Sequence, residues 1–304
     1  MTTNAITIDG ISKSYGPVKA LDSVTFNVGQ GELFGLIGPD GAGKTTLFKI
    51  LVTLLLPDAG RATVSTLDVV TGYKALRQTI GYMPGRFSLY PDLTVGENLQ
   101  FFATVFGTTI EANYDLIQDI YEQLKPFGSR RAGALSGGMK QKLALCCALI
   151  HKPDVLFLDE PTTGVDAVSR REFWDMLKAL QAQNLTILVS TPYMDEASLC
   201  DRVAFIQTGH ILAVDTPVGI TNRFTKPLFA IQSPNTYELI KALRQAPFTD
   251  ACYAFGNSVH LTGKPGTETD QITHYLSTRN RQSATVNRIN AGIEDTFMEL
   301  MKVN

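Results

Sequence analysis

Cysteine is scarce in this chain of 304 residues, limited to Cys146, Cys147, Cys200 and Cys252. The first two are adjacent and no pair has CxxC spacing, which excludes a zinc knuckle or a redox dithiol and leaves buried thiols as the expectation. Charge of one sign is also lacking, with 27 Lys and Arg against 29 Asp and Glu for a net charge of −2. The broad basic field that drives nonspecific nucleic-acid binding is therefore absent, and nucleic acid is not an expected partner. Long apolar runs are missing as well: a stretch such as Leu143 to Ile150 falls far short of the roughly 18 to 20 residues that a membrane-spanning helix needs. The opening MTTNAITIDG has no basic start followed by an apolar stretch, so it is not a secretory signal and residence in the cytoplasm is expected. Internal repeats and low-complexity tracts are not seen. With 44% hydrophobic and 18% charged residues, a largely disordered chain is excluded.

What is present fits about two domains at roughly 150 residues each. Ala5 to Ile8 and Val24 to Val28 alternate apolar and polar residues and predict antiparallel strands. Leu33 to Ile37 predicts a buried strand, Gly38 to Gly43 a glycine-rich loop, and Thr45 to Leu56 a helix stopped by Pro57. From Pro91 to Gly133 apolar residues such as Leu99, Phe102 and Phe106 fall at helical spacing, and another helix is expected from Lys140 to about Ile150. These segments predict a helical subdomain inserted over about 86–150. Val155 to Leu158, Thr186 to Val189 and Val203 to Ile206 are short apolar runs separated by helical stretches, the rhythm of a parallel sheet. Beyond about residue 220 the pattern becomes strand Leu228 to Ile231, helix Tyr237 to Leu243, strand, strand Val259 to Leu261, helix, strand, then a last helix near Glu294 to Met301. The expected class is α/β over 1–220, with a small α+β domain of split βαβ type over 221–304.

Gly38, Gly43, Lys44 and Thr45 satisfy GxxxxGK[ST] between a predicted strand and a predicted helix. In that setting glycine-exposed amides and a helix N-terminus form a nest for phosphate oxygens, Lys44 reaches the β- and γ-phosphates, and the Thr45 hydroxyl ligates Mg²⁺. Val155 to Leu158 delivers Asp159 and Glu160 to the carboxyl end of a buried strand, where α/β sheets place ligands. Asp159 suits the Mg²⁺ shell and Glu160 the general base that polarises water.

GPDGAGKTT, LSGGMKQK, VLFLDEP and Gly164-Val165-Asp166 together resemble the nucleotide-binding subunit of an ABC transporter over about residues 5 to 220. The resemblance implies an ABC-type P-loop ATPase core acting as a head-to-tail dimer around two ATP molecules, as a homodimer or with a second ATPase chain. Nucleotide contacts would come from Gly38, Asp40, Gly41, Ala42, Gly43, Lys44, Thr45 and Thr46, with Tyr15 stacked on adenine. Ser136, Gly137 and Gly138 would cap the γ-phosphate on the partner's loop, and Asp166 would cross the dimer axis. The end Ile293-Glu294-Asp295-Thr296-Phe297 resembles that of drug- and antibiotic-exporting ATPases paired with separate membrane subunits. It implies a place on the cytoplasmic face of the cell membrane with no span of its own. ABC ATPases of DNA repair or translation do not fit, because the interval from Lys44 to Ser136 is too short for coiled-coil arms.

The pattern breaks twice. Where the family carries a glutamine that touches Mg²⁺ and water, this chain reads Gly81-Tyr82-Met83-Pro84-Gly85, and where it carries a γ-phosphate histidine, Ser190-Thr191-Pro192-Tyr193. His151, His210, His260 and His274 all lie elsewhere and are expected to be surface or packing residues. Binding should thus survive better than turnover, and restoring Gln and His should raise the rate. A non-hydrolytic, ATP-dependent clamp or regulatory ABC protein is the alternative, against which Glu160 argues.

Overall fold

The computed structural model describes residues 3–279 and 284–303, in two compact units, Met1–Pro217 and Val218–Asn304. In the first unit β1 (Asn4–Tyr15) and β2 (Val18–Gly29) pair as an antiparallel hairpin that turns at Gly16, where φ is 57°. Ile6, Ile8, Ile11, Val24, Phe26 and Val28 are buried, as the period-two alternation dictates. β3 (Leu33–Ile37), buried throughout, runs through the glycine-rich loop into α1 (Lys44–Leu51). β4 (Ala59–Val64) adds to β1, and β5 (Leu67–Asp68) completes a sheet ordered β2-β1-β4-β5. α2 (Tyr73–Thr79) then leads into β6 (Ile80–Met83).

Between β6 and the following strand lie α3 (Val95–Val105), α4 (Tyr114–Leu124) and α5 (Gly137–Leu149). α3 begins with a capping box: the Glu97 amide donates to Thr94 Oγ1 at 3.2 Å and the Thr94 amide to Glu97 Oε2 at 2.8 Å. β7 (Val155–Asp159), α6 (Ala167–Ala182), β8 (Thr186–Thr191), β9 (Arg202–Gln207) and β10 (His210–Asp215) follow. The second sheet has the order β10-β9-β3-β8-β7-β6 and is parallel except for β10. α1 is clasped in the core shared by the two sheets, where Phe48 meets Phe157 edge-on at 6.0 Å and Phe26 stacks on Phe34 at 5.3 Å. Because Ile37 pairs with Thr191 and Asp159 with Ser190, the carboxyl ends of β3, β7 and β8 finish side by side.

Two helix boundaries differ from expectation. α1 stops at Leu51 rather than Leu56, because Thr53 takes a left-handed φ of 65° and the Leu54 amide turns back to Lys49 O at 2.8 Å. Leu54 and Leu56 are consequently exposed and do not continue the buried stripe. α5 starts at Gly137 rather than Lys140, since Ser136 Oγ accepts from the Met139 amide at 3.3 Å and so caps a helix that already includes both glycines.

After α7 (Pro217–Thr221), the second unit consists of β11 (Leu228–Gln232), α8 (Thr236–Arg244), β12 (Thr249–Phe255), β13 (Ser258–Gly263), α9 (Thr269–Ser277), β14 (Thr285–Ile289) and α10 (Ile293–Val303). Its antiparallel sheet has the order β12-β13-β11-β14, the split arrangement read from the sequence. Phe229, Ile231, Leu239, Leu243, Leu261 and Ile272 form its core. His260 Nδ1 lies 2.7 Å from Asp295 Oδ1, a buried contact that ties β13 to α10. His151 stacks on Phe106 at 3.8 Å, a packing role. All four cysteines are free and buried, and burial pushes the thiols of Cys146, Cys147 and Cys200 up.

Candidate functional site

The loop between β3 and α1 can only be made from glycine at its two ends. A Cβ on Gly38 would sit 2.2 Å from Ile206 O, and one on Gly43, whose φ is 108°, would sit 2.4 Å from Ala20 O. The loop is braced from behind: the Gly38 amide donates to Thr191 O at 3.2 Å and the Gly209 amide to Ala42 O at 2.9 Å. α1 begins at Lys44 with no side-chain cap and no acidic residue in its first turn. Its first amides are thus directed at whatever fills the loop, a setting that favours an anion. Gly38 and Ala42 are buried, whereas Asp40, Gly41 and Thr45 are exposed and Thr46 is half-buried.

Lys44 is buried, and its Nζ donates to Gly38 O at 2.8 Å and Pro39 O at 3.0 Å and pairs with Glu160 Oε1 at 3.0 Å. Thr45 Oγ1 donates to Asp159 Oδ1 at 3.2 Å, and Ser190 Oγ donates to the same oxygen at 2.7 Å. Burial pushes the Asp159 carboxyl above the usual carboxylate range, against the opposing effect of the Ser190 and Thr45 hydroxyls. Glu160 is held at a left-handed φ of 51°, its amide donating to Ser190 O at 3.0 Å and Ser190 Oγ at 3.1 Å. Lys44, Thr45, Asp159 and Glu160 therefore share one site. A hydroxyl and a carboxylate oxygen side by side suit a hard cation such as Mg²⁺, which takes oxygen ligands and keeps much of its water. Among the described residues no cluster of three or more His, Cys, Asp or Glu could hold a metal by itself, so phosphate and water oxygens would complete such a shell.

The other sequence-derived candidates stand apart. Among the described residues, no hydrogen bond or ion pair joins Tyr15, Ser136, Gly137, Gly138 or Asp166 to that cluster. Tyr15 is at the open end of β1, pairing with Val18 across the turn and half-exposed. Gly138 packs against α6, where an added Cβ would lie 2.8 Å from Ser169 Oγ, while Gly137 has nothing closer than Gly164 O at 3.8 Å. Asp166 caps α6, accepting from the Ser169 amide at 3.0 Å and the Val168 amide at 3.1 Å, and these bonds hold its carboxyl below the usual range.

Gly85 is tighter than a lost side chain alone would require. A Cβ there would lie 2.9 Å from Asp159 O, a backbone atom with little freedom to withdraw. Sequence reasoning also missed Ser190, which bonds both Asp159 and Glu160. Its one signal is a hydroxyl directly after the apolar run Thr186 to Val189, at a strand end pointing toward Asp159.

A family model described as ABC transporter matches residues 21–163. The chain is 39% identical over 308 residues to the probable multidrug ABC transporter ATP-binding protein YbhF of Escherichia coli, a match covering 99% of this chain and 53% of that protein. It thus spans about half the length of that relative. It is 40% identical over 269 residues to the Nod factor export ATP-binding protein I of Burkholderia lata, covering 87% of this chain and 85% of that one. Among solved structures, an ATP-binding subunit of an ABC transporter superposes with a TM-score of 0.66 at 28% identity, over 73% of this chain and 93% of that one.

Proposed function

The chain belongs to the ABC transporter family of ATP-binding proteins, and from that premise we propose that it is the ATP-binding and ATP-hydrolysing subunit of an exporter. The observation that carries the reading is the convergence of Lys44, Thr45, Asp159 and Glu160 behind a loop whose two ends admit only glycine. Lys44 exchanges its bond to Glu160 for the β- and γ-phosphates of ATP, which frees Glu160 to accept the proton of the attacking water. Thr45 and Asp159 hold Mg²⁺, which when bound supplies charge neutralisation at the phosphates. Tyr15 stacks on the adenine.

The proposed working unit is a head-to-tail dimer, with an identical or a second ATPase chain. Ser136, Gly137 and Gly138 then present the start of α5 to the γ-phosphate on the partner's loop, and Asp166 crosses the axis. Membrane subunits would be the transducing partners, with this chain at the cytoplasmic face of the cell membrane. No helix of the described residues is long and apolar enough to cross a membrane.

The chain's own site is proposed to be slow. Gly85 and Pro192 supply neither of the two family contacts, and each absent contact of that kind is worth roughly 2.7 to 4 kcal/mol, if the two act independently. The geometry changes what restoration should do. Pro192→His is expected to raise turnover, whereas Gly85→Gln alone is expected to fail, because its Cβ meets the Asp159 carbonyl at 2.9 Å. Steady-state ATPase measurements on the two variants check this, and a gain from Gly85→Gln alone would contradict it. The same two departures favour a non-hydrolytic clamp as second reading, and a single-turnover experiment with MgATP separates the readings.

A further inference from the structure

Glu196 is a carboxylate buried to 1% exposure that no step above uses. Its Oε1 accepts from Thr162 Oγ1 at 2.8 Å, and its Oε2 accepts from Thr191 Oγ1 at 2.5 Å. The Arg170 Nε lies 3.8 Å from Oε1, while the Arg170 guanidinium sits over the Tyr193 ring at 4.1 Å and within 3.6 Å of Asp195 Oδ2. One side chain thus gathers the end of β8, the segment that follows Glu160, and α6.

What passes between these anchors is the stretch 160–166. At its start Glu160 occupies the left-handed region at φ 51°, a conformation that a non-glycine residue keeps only when its surroundings over-determine it. Ser190 fixes the entrance through the Glu160 amide. On the exit side, the Thr163 amide returns to Glu160 O at 3.2 Å and the Val165 amide to Thr162 O at 3.2 Å, so the turn is held at Thr162. Thr162 in turn is held by Glu196. The stretch ends at Asp166, which caps the helix carrying Arg170 one turn further on. A buried ion pair is weak evidence for stability, so bracing alone is a poor reason for a carboxylate here.

We propose that Glu196 is a positioning residue that, through Thr162, holds Glu160 in its strained conformation and sets the geometry of the stretch leading to Asp166. The proposal rests on the assignment of Glu160 as the base for ATP hydrolysis. It treats Glu196 as acting through another residue and touching no nucleotide.

Thr162→Val removes one hydroxyl at nearly constant shape, and Glu196→Ala removes its acceptor. Both are expected to bind MgATP within about twofold of the wild type while slowing single-turnover hydrolysis by about tenfold or more, with the double variant no slower than the slower single one, as for groups acting as a unit. Glu196→Gln should recover most of the rate, since its amide can still engage both threonines. Hydrogen exchange at the Thr163 and Val165 amides reads the same positioning without turnover and should accelerate in Thr162→Val and in Glu196→Ala. Wild-type turnover in Thr162→Val, or unchanged exchange at those amides, would overturn the proposal. Failure of the wild-type chain to bind MgATP would instead remove the functional reading, and the exchange experiment would still decide whether Glu196 holds the stretch.

Discussion

Gly137→Asp is expected to leave the chain's thermal stability no lower and its own MgATP affinity unchanged while removing most of the turnover of the dimer it enters. Gly137 opens α5, whose first turn carries no acidic residue. A carboxylate there meets the positive end of the helix dipole and favours the fold by about 0.3 to 1 kcal/mol. Nor is there an internal clash, since the nearest atom to the new Cβ is Gly164 O at 3.8 Å. Across a head-to-tail interface the same carboxylate faces a γ-phosphate, and the like-charge contact should reduce hydrolysis at the partner's site by on the order of 100-fold or more. Gly138 is a poorer position for this test, because a Cβ there lies 2.8 Å from Ser169 Oγ and disturbs the helix that Asp166 caps. Glu160→Gln should cost an assembled heterodimer less, because it disables the site proposed to be slow for want of the contacts missing at Gly85 and Pro192. ATPase assays of the assembled complex with each variant measure the contrast. Equal losses, or a greater loss from Glu160→Gln, would reject the asymmetric arrangement and favour a symmetric homodimer.

Lys44→Ala is expected to weaken MgATP binding by about 2 to 3 kcal/mol, on the order of 100-fold, the worth of a charge-assisted bond lost with nothing in its place. The side chain is committed to the loop, through Gly38 O and Pro39 O, and to Glu160. No other lysine or arginine is bonded to those loop carbonyls among the described residues. The folded chain should tolerate the change, because Glu160 keeps partial access to solvent at 22% side-chain exposure. Isothermal titration of both proteins, with a melting curve for each, separates lost binding from lost fold. Equal affinity in the two would remove the basis for assigning the loop to phosphate.

What the sequence made legible was local. Gly38, Gly43 and Lys44 announce the glycine loop between β3 and α1 because the steric demands of a tight turn and the reach of a lysine both act within a few residues. Ser136 and Asp166 stand out in the sequence by motif alone, and their capping of α5 and α6 emerges only from the structure. The order of strands and helices beyond residue 220 could be read because each apolar run is short and bounded. Ser190 and Glu196 were not legible. Ser190 acts on Asp159 from a neighbouring strand 31 residues away, and Glu196 reaches Thr162 across 34. Nothing in a hydroxyl or a carboxylate near a strand end names a partner that sheet pairing brings alongside. Gly85 shows the same limit: as a missing glutamine it looks replaceable, until pairing of β6 with β7 brings the Asp159 carbonyl against it. The end of α1 was misplaced because Leu54 and Leu56 continue an apolar pattern that Thr53 turns out toward solvent.

Whether an intact nucleotide site is joined to slow chemistry is decided by one experiment on the wild-type chain: rapid mixing with MgATP under single-turnover conditions, following bound nucleotide and released phosphate together. Rapid, saturable binding is expected, followed by phosphate release well below the typical enzyme rate of about 10 s⁻¹. Phosphate release at that typical rate would show that neither Gly85 nor Pro192 matters, and no binding at all would contradict the assignment of the site itself.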